Sequence, residues 1–294
     1  MGIVKFQDEW DELCPIFIYN QEYIEQIATG VLIDIWDNTY LLTASHVVDH
    51  FYIEKKKLYI PTKNGFEPIS GVYNHSHLKE GESRDDDIID FSFFKLSKEL
   101  KSNLIDFTPL QENKINLSID FTLNDKYKKS NELLTKYNVK KSNDYLKNNY
   151  SNFSDNILEQ FASIISDITI TFAGYPITKS KNKNNITYSE IVYYHGGSVE
   201  KSVYDTLSLN HNINVVAQFG RHGSMDKNYT QNNPPKKTGI SGGGIYKIIK
   251  NNNGFYDREL IGIGHTKKDK QHLLIGTNIN YCLSQIYKQE RYHV

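Results

Sequence analysis

The sequence predicts an all-β protein of two antiparallel β units, with a polar, partly helical connector between them and a carboxy-terminal helix closing the chain. Three observations carry this. Brief apolar runs at short spacing fill the stretch from Cys14 to about Leu96 and return from Ile168 to Ile275, a Lys- and Asn-rich stretch separates the two series, and helical periodicity ends the chain. Short runs bounded by turn residues are the signature of antiparallel barrels and sandwiches. At 294 residues the chain is long enough for each unit to bury a core of its own. The expected boundaries are 1–97 for the first unit, 98–165 for the connector and 166–294 for the second unit with its helix.

In the first unit the expected strands are 15–19, 30–35, 39–43, 57–60 and 91–94, each rich in β-branched or aromatic residues. The connector alternates runs such as Lys126-Tyr127-Lys128-Lys129 with helical spacing at Ile157, Leu158, Phe161, Ile164 and Ile165, behind a Ser154 N-cap and Asp155 in the first turn. Its charge runs read as solvated faces rather than a polyanion site. Strands resume at 168–172, 186–188, 213–217, 244–246, 260–263 and 273–275. Ile279, Leu283, Ile286 and Tyr287 then mark one face of the closing helix.

Composition narrows the function classes. The formal net charge is -1, so the chain lacks the basic footprint of a nucleic-acid or anionic-membrane binder. No apolar run reaches transmembrane length and no leader-like segment opens the chain. Two cysteines, Cys14 and Cys282, stand far apart without metal-type spacing, which fits a reducing compartment, and a cytoplasmic protein is expected. His46 and His50 lie four apart and His75 and His77 two apart, but neither pair comes with the third ligand of a zinc hydrolase, so no metal is expected. The glycines at 242–244 lack the Gly-Lys-Ser/Thr ending of a phosphate loop, and no cofactor is expected.

Three stretches carry chemistry. In Gly239-Ile240-Ser241-Gly242-Gly243-Gly244, glycines on both sides of a serine let peptide N–H groups and the hydroxyl face one point, as acyl transfer requires. Alone, such a serine is as readily an ordinary turn. A serine nucleophile also needs a base and a group to orient that base. Leu41-Leu42-Thr43-Ala44-Ser45-His46 runs an apolar strand into a histidine able to shuttle the proton, and Asp90-Phe91-Ser92-Phe93-Phe94-Lys95-Leu96 opens a strand with an acid able to fix the imidazole tautomer.

Together these stretches resemble the chymotrypsin-like serine peptidases, in which the histidine lies in a Thr-Ala-Ala-His segment, the aspartate opens an Asp-Ile-Ala-Leu-Leu-Lys-Leu strand and the serine lies in Gly-x-Ser-Gly-Gly. The order agrees, and the 44 positions from His46 to Asp90 match that family's usual separation. The longer interval to Ser241 accommodates the connector. Thr29-Gly30-Val31-Leu32 looks like the family's Gly-x-Gly-Phe strand, and Phe172-Ala173-Gly174-Tyr175-Pro176 like the Gly-Tyr-Pro turn of its bacterial members, so a bacterial type is expected, intracellular by its cysteines. The resemblance implies two antiparallel six-stranded β-barrels, a His46-Asp90-Ser241 triad, and an oxyanion hole from the backbone N–H groups of Gly239 and Ser241. Asp85, Asp86 and Asp87 compete for the acid's role, but counting back from Lys95-Leu96 lands on Asp90, which leaves that run as an exposed loop.

Departures from the pattern also inform. Ile240 stands where the digestive branch has an aspartate that receives a new amino terminus, so activation by that salt bridge is not expected, and Gly244 replaces a proline. By resemblance the first specificity pocket is walled by 235–238 and by the strand around His265. Neither carries a carboxylate, which disfavours Arg or Lys side chains; Lys236, Thr238 and His265 suit an acidic or amide side chain, and equally His265 reads as strand surface and Lys236 as a solvated charge. The implied partners are a protein or peptide substrate and an activating protein that orders the Gly-, Asn- and Lys-rich serine loop. Regulated proteolysis in bacterial stress or anti-phage response is an association only. The rival expectation is a silent or latent barrel that acts as a binding module.

Overall fold

The computed structural model describes residues 4–5, 10–20, 23–76, 84, 87–116, 169–183, 186–225, 240–250, 256–268 and 271–292. After a short β1 (Val4–Lys5), the first unit contains β2 (Leu13–Asn20), β3 (Tyr23–Ile35), β4 (Asn38–Thr43), helix α1 (Ser45–Tyr52), β5 (Leu58–Thr62), β6 (Gly65–Pro68), β7 (Gly71–His75), β8 (Ser92–Leu96), helix α2 (Lys98–Asn103) and β9 (Leu110–Gln111). The sheet runs β6-β5-β2-β3-β4-β8-β7, with β9 parallel to β3 off that path.

The edge strands β6 and β7 are one stretch of chain separated only by Ile69 and Ser70, so the sheet curls back on itself. Pro68 ends β6 because it has no N–H for a continuing ladder. Gly71, at φ +136, resumes pairing where a Cβ would lie 1.8 Å from Lys95 O. Counted as one interrupted strand, this run completes the expected six around the unit.

The second unit contains β10 (Thr169–Gly174), β11 (Lys181–Lys183), β12 (Ile186–Tyr188), β13 (Val192–Ser198), a short helix (Lys201–Thr206), β14 (Asn214–Met225), β15 (Gly244–Lys250), β16 (Tyr256–Lys268), β17 (Leu273–Asn278) and the closing helix Ile279–Tyr292. β10-β13-β14-β17-β16-β15 form a closed six-stranded barrel. The strand expected at 186–188 forms, but outside the barrel, in a three-stranded sheet with β11 and β1.

Burial explains why the central strands lack polar alternation. On β2 and β3, Leu13, Val31 and Ile33 face a seam shared with Ala173, Tyr193, Leu260 and Ile263 of the second unit. Their neighbours Cys14, Ile16 and Leu32 fill the first unit's own interior. Both faces are covered, so both must be apolar. Ile279, Cys282, Leu283 and Ile286 of the closing helix enter the same seam. Near its end Glu290 accepts hydrogen bonds from Lys95 Nζ at 2.9 Å and Tyr40 OH at 3.0 Å, fastening the helix to the first unit.

Residues 98–116, where the connector is expected to begin, pack on both units. Leu100 of α2 joins the first interior, and Ile115 bridges to Leu260 of β16. The expected helix at 154–165 lies outside the described residues. Cys14 and Cys282 are free, buried thiols.

Candidate active site

The site is built where the end of β4, the first turn of α1, the segment before β8 and the turn before β15 converge. Ala44 precedes α1 in extended conformation without a side-chain cap. Ser45 then opens the helix and donates from Oγ to Phe91 O at 2.7 Å, tying the helix start to the residue between Asp90 and β8. Val47 and Val48 are buried in the core beneath α1, while the His46 side chain stays 34% exposed.

Asp90 is buried and adopts φ +25, a backbone conformation costly for any residue but glycine. Its carboxylate meets His46 twice. Oδ1 accepts the His46 backbone N–H at 2.9 Å, and Oδ2 lies 2.7 Å from Nδ1. An ionised carboxylate only accepts, so Nδ1 carries the proton and Nε2 is left as a base. Burial alone would lower the proton affinity of His46, but the hydrogen bond to Asp90 and the charges of Asp90 and Asp49 outweigh it and raise its pKa. Burial would raise Asp90, but the hydrogen bond and charge of His46 hold it below the usual carboxylate range. The second unit supports the same segment, through hydrogen bonds from Asn214 Nδ2 to Ile88 O and from Thr277 Oγ1 to Ile89 O.

Ser241 occupies a tight turn closed by Gly243 N–H donating to Ile240 O at 2.9 Å. Gly242, the third residue of that turn, has φ +85, as a type II turn demands. A Cβ there would lie 2.1 Å from Thr29 O and 2.2 Å from Thr43 Oγ1, so only glycine lets the turn press against β3 and β4. Thr29 N–H donates to Ser241 O at 3.0 Å, and Thr43 Oγ1 donates to Thr29 O at 2.8 Å. These contacts dock the serine turn three residues from His46 along the chain. Ser241 Oγ donates to His265 O at 3.5 Å and makes no hydrogen bond to His46 among the described residues. Gly239, Lys236 and Thr238 lie outside the described residues.

His265, expected in the specificity pocket, has its side chain only 1% exposed, with Nδ1 3.9 Å from Asp90 Oδ2. The reason is a bulge in the pairing of β16 with β17 between Gly264 and Thr266, where His265 is the extra residue. A bulge re-aims the side chain it carries. Nδ1 is 2.9 Å from Thr266 Oγ1, and Nε2 is buried without a hydrogen-bond partner among the described residues. Burial pushes the ring's pKa down to about 4 from an ordinary 6.5. Between those values the unfolded chain takes up a proton that the folded protein refuses. The stability due to neutral His265 is therefore complete above pH 6.5 and lost as pH falls toward 4, by about 3 kcal/mol. Urea unfolding at pH 7 and pH 4.5 is expected to show that acid loss in the native protein and a smaller one in His265→Gln.

Of the aspartate run, Asp85 and Asp86 lie outside the described residues. Asp87 is not a loose loop charge, because it pairs with Arg84 at 2.6 Å and accepts the Ile89 N–H at 3.0 Å. Arg84, Asp49 and Ser76 were not singled out by sequence. Ser45 offered a signal, as a hydroxyl where the related pattern has alanine. Among the described residues no group of three His, Cys, Asp or Glu side chains is placed to hold a metal ion.

No protein-family profile matches the chain, and no curated protein sequence matches it. Solved structures do. Neuropsin, a serine protease expressed in the limbic system of mouse brain, superposes with a TM-score of 0.52 at 12% identity, over 96% of this chain and 95% of that one. The fold is chymotrypsin-like. A mutant of human heparin-binding protein gives a TM-score of 0.49 at 10% identity, over 95% of this chain and 90% of that one. The VesB protease of Vibrio cholerae gives 0.47 at 15%, over 96% of this chain and 64% of that one. No described helix is long and apolar enough to cross a membrane.

Proposed function

We propose that this protein is a serine endopeptidase acting through an acyl-enzyme, with Ser241 as nucleophile, His46 as base and Asp90 as its orienting acid. The observation that carries the reading is the two-point grip of Asp90 on His46, at 2.9 and 2.7 Å, beside the docked turn of Ser241. Ser241 Oγ attacks the scissile carbonyl carbon while His46 Nε2 takes its proton. The carbonyl oxygen becomes an oxyanion, stabilised by the N–H groups proposed for Gly239 and Ser241. Collapse breaks the C–N bond as His46 returns the proton to the leaving amine. Water then attacks the acyl-enzyme by the same proton route in reverse, releasing the acid and restoring Ser241.

With His265 turned toward Asp90, Lys236 and Thr238 are the proposed receivers of an acidic or amide substrate side chain. Free buried Cys14 and Cys282 suit the cytoplasm, and regulated proteolysis in bacterial stress or phage defence is the proposed setting. A second reading, a latent enzyme awaiting a partner, is favoured by the absence of a hydrogen bond between Ser241 Oγ and His46. Intact-mass labelling with a fluorophosphonate tests both. A single adduct lost in Ser241→Ala and His46→Ala is expected. A folded native protein that takes no label would overturn autonomous activity and leave latency or a binding role.

A further inference from the structure

One turn beyond His46 on α1 stands Asp49, whose carboxylate is gripped at both oxygens by Arg84. Nε donates to Oδ2 at 2.8 Å and a terminal nitrogen to Oδ1 at 2.9 Å. The other terminal nitrogen donates to Asp87 Oδ2 at 2.6 Å and to Ser76 Oγ at 3.2 Å. One guanidinium thus joins three pieces of chain. Asp49 belongs to the helix that carries His46, Asp87 to the segment that leads into Asp90, and Ser76 to the residue after β7.

Hydroxyls extend the brace. Ser76 donates from N and Oγ to Ser45 Oγ at 2.9 and 2.8 Å, and Ser45 donates onward to Phe91 O. The residues on either side of the His46–Asp90 contact are therefore held by a single connected network. The side chains of Arg84, Asp49 and Asp87 are 15%, 19% and 10% exposed, so water competes weakly for these pairs.

Two physical problems call for such a brace. Asp90 must be kept at φ +25, which the free chain avoids. The Asp49 carboxylate, left bare, would be a second anion drawing on the His46 imidazole. The charged and titratable groups acting on His46 are Asp90 ahead of β8, Asp49 on α1 and Arg84. His265 on β16 lies 3.9 Å from Asp90 and its charge couples directly to that of His46, and Asp87 pairs with Arg84.

We propose that Arg84 is a positioning residue for the His46–Asp90 pair, locking segment 87–90 onto α1 and neutralising Asp49 beside the imidazole. The inference rests on the peptidase reading for its catalytic meaning, though its effect on His46 does not require turnover. It is tested by fluorophosphonate labelling across pH, and by NMR titration of the His46 ring, in Arg84→Met, Arg84→Lys and Asp49→Asn, each checked for native circular dichroism.

Arg84→Met is expected to slow labelling by about ten- to a hundredfold, the scale of a small misplacement of catalytic groups. It should move the His46 midpoint to higher pH, because Asp49 is then unopposed. Asp49→Asn should move the midpoint to lower pH. Arg84→Lys should restore the midpoint, which needs only charge, but not the full rate, which needs the planar fork. A folded Arg84→Met with native rate and midpoint overturns the proposal. If that variant does not fold, an unmoved midpoint in Asp49→Asn overturns it instead. If the native protein takes no label at all, the peptidase reading fails separately, and the NMR midpoints still decide for or against the brace.

Discussion

Asp90→Asn is expected to lower fluorophosphonate labelling and peptide hydrolysis by about ten-thousandfold at neutral pH, as in triads of this type, while leaving the fold in place. The amide has nearly the carboxylate's shape, so the site is not emptied. Its oxygen is claimed by the His46 backbone N–H, which meets Oδ1 at 2.9 Å in the native protein. That orientation places the amide NH₂ against His46 Nδ1, now 2.7 Å from Oδ2. Nδ1 must then accept rather than donate, so the ring proton moves to Nε2 and the nitrogen needed as base is blocked. Partial recovery of the rate at high pH is expected, because hydroxide can then take the Ser241 proton that the blocked imidazole no longer accepts. Native-like labelling in Asp90→Asn would show that another acid orients His46.

The second large effect is on stability. Glu12 is buried, and its carboxylate accepts from Arg258 Nε at 3.1 Å and from a terminal nitrogen at 2.8 Å. Arg258 also lies over the Trp10 ring, 4.1 Å from its centroid, and Trp10 packs on Tyr193 and Tyr246. Glu12 enters the first unit, where its carbonyl accepts from Leu32 N–H at 2.8 Å, while Arg258 belongs to β16 of the second. Glu12→Ala therefore leaves a largely buried cation without its carboxylate at the junction. The expected cost is about 3–5 kcal/mol, measured as a lower urea midpoint. Glu12→Leu combined with Arg258→Met should recover most of it, since neither charge then remains to be desolvated. A loss no larger in Glu12→Ala than at an exposed ion pair would mean that water already reaches this contact.

Most strands were legible because each is a short apolar run between turn residues, and the closing helix because Ile279, Leu283 and Ile286 repeat at helical spacing. What the pattern misassigned was partnership. The run 186–188 reads as a barrel strand because its residues suit any pleated surface, yet β12 pairs with β11 and β1. Strand propensity describes the fit to a sheet and is silent about which sheet. Gly65–Pro68 and Gly71–His75 carry no strand signal in the sequence, being short, glycine-led and, in the first, ended by proline.

The site divides along the same line. Local sequence by itself determined the all-β class, the glycine turn around Ser241, and the histidine and aspartate at the ends of apolar strands, because these depend on residues adjacent in the chain. Only the tertiary structure decided that Asp90 grips His46 at two points, that a bulge turns His265 inward against Asp90, and that Arg84 binds Asp49 and Asp87 together. Those contacts join residues from 3 to 175 positions apart, carried by α1, the segment before β8 and the bulged β16. The reason is that packing of distant segments, and for His265 the pairing and bulge of its strand, settles where these side chains point, which neighbours in sequence do not.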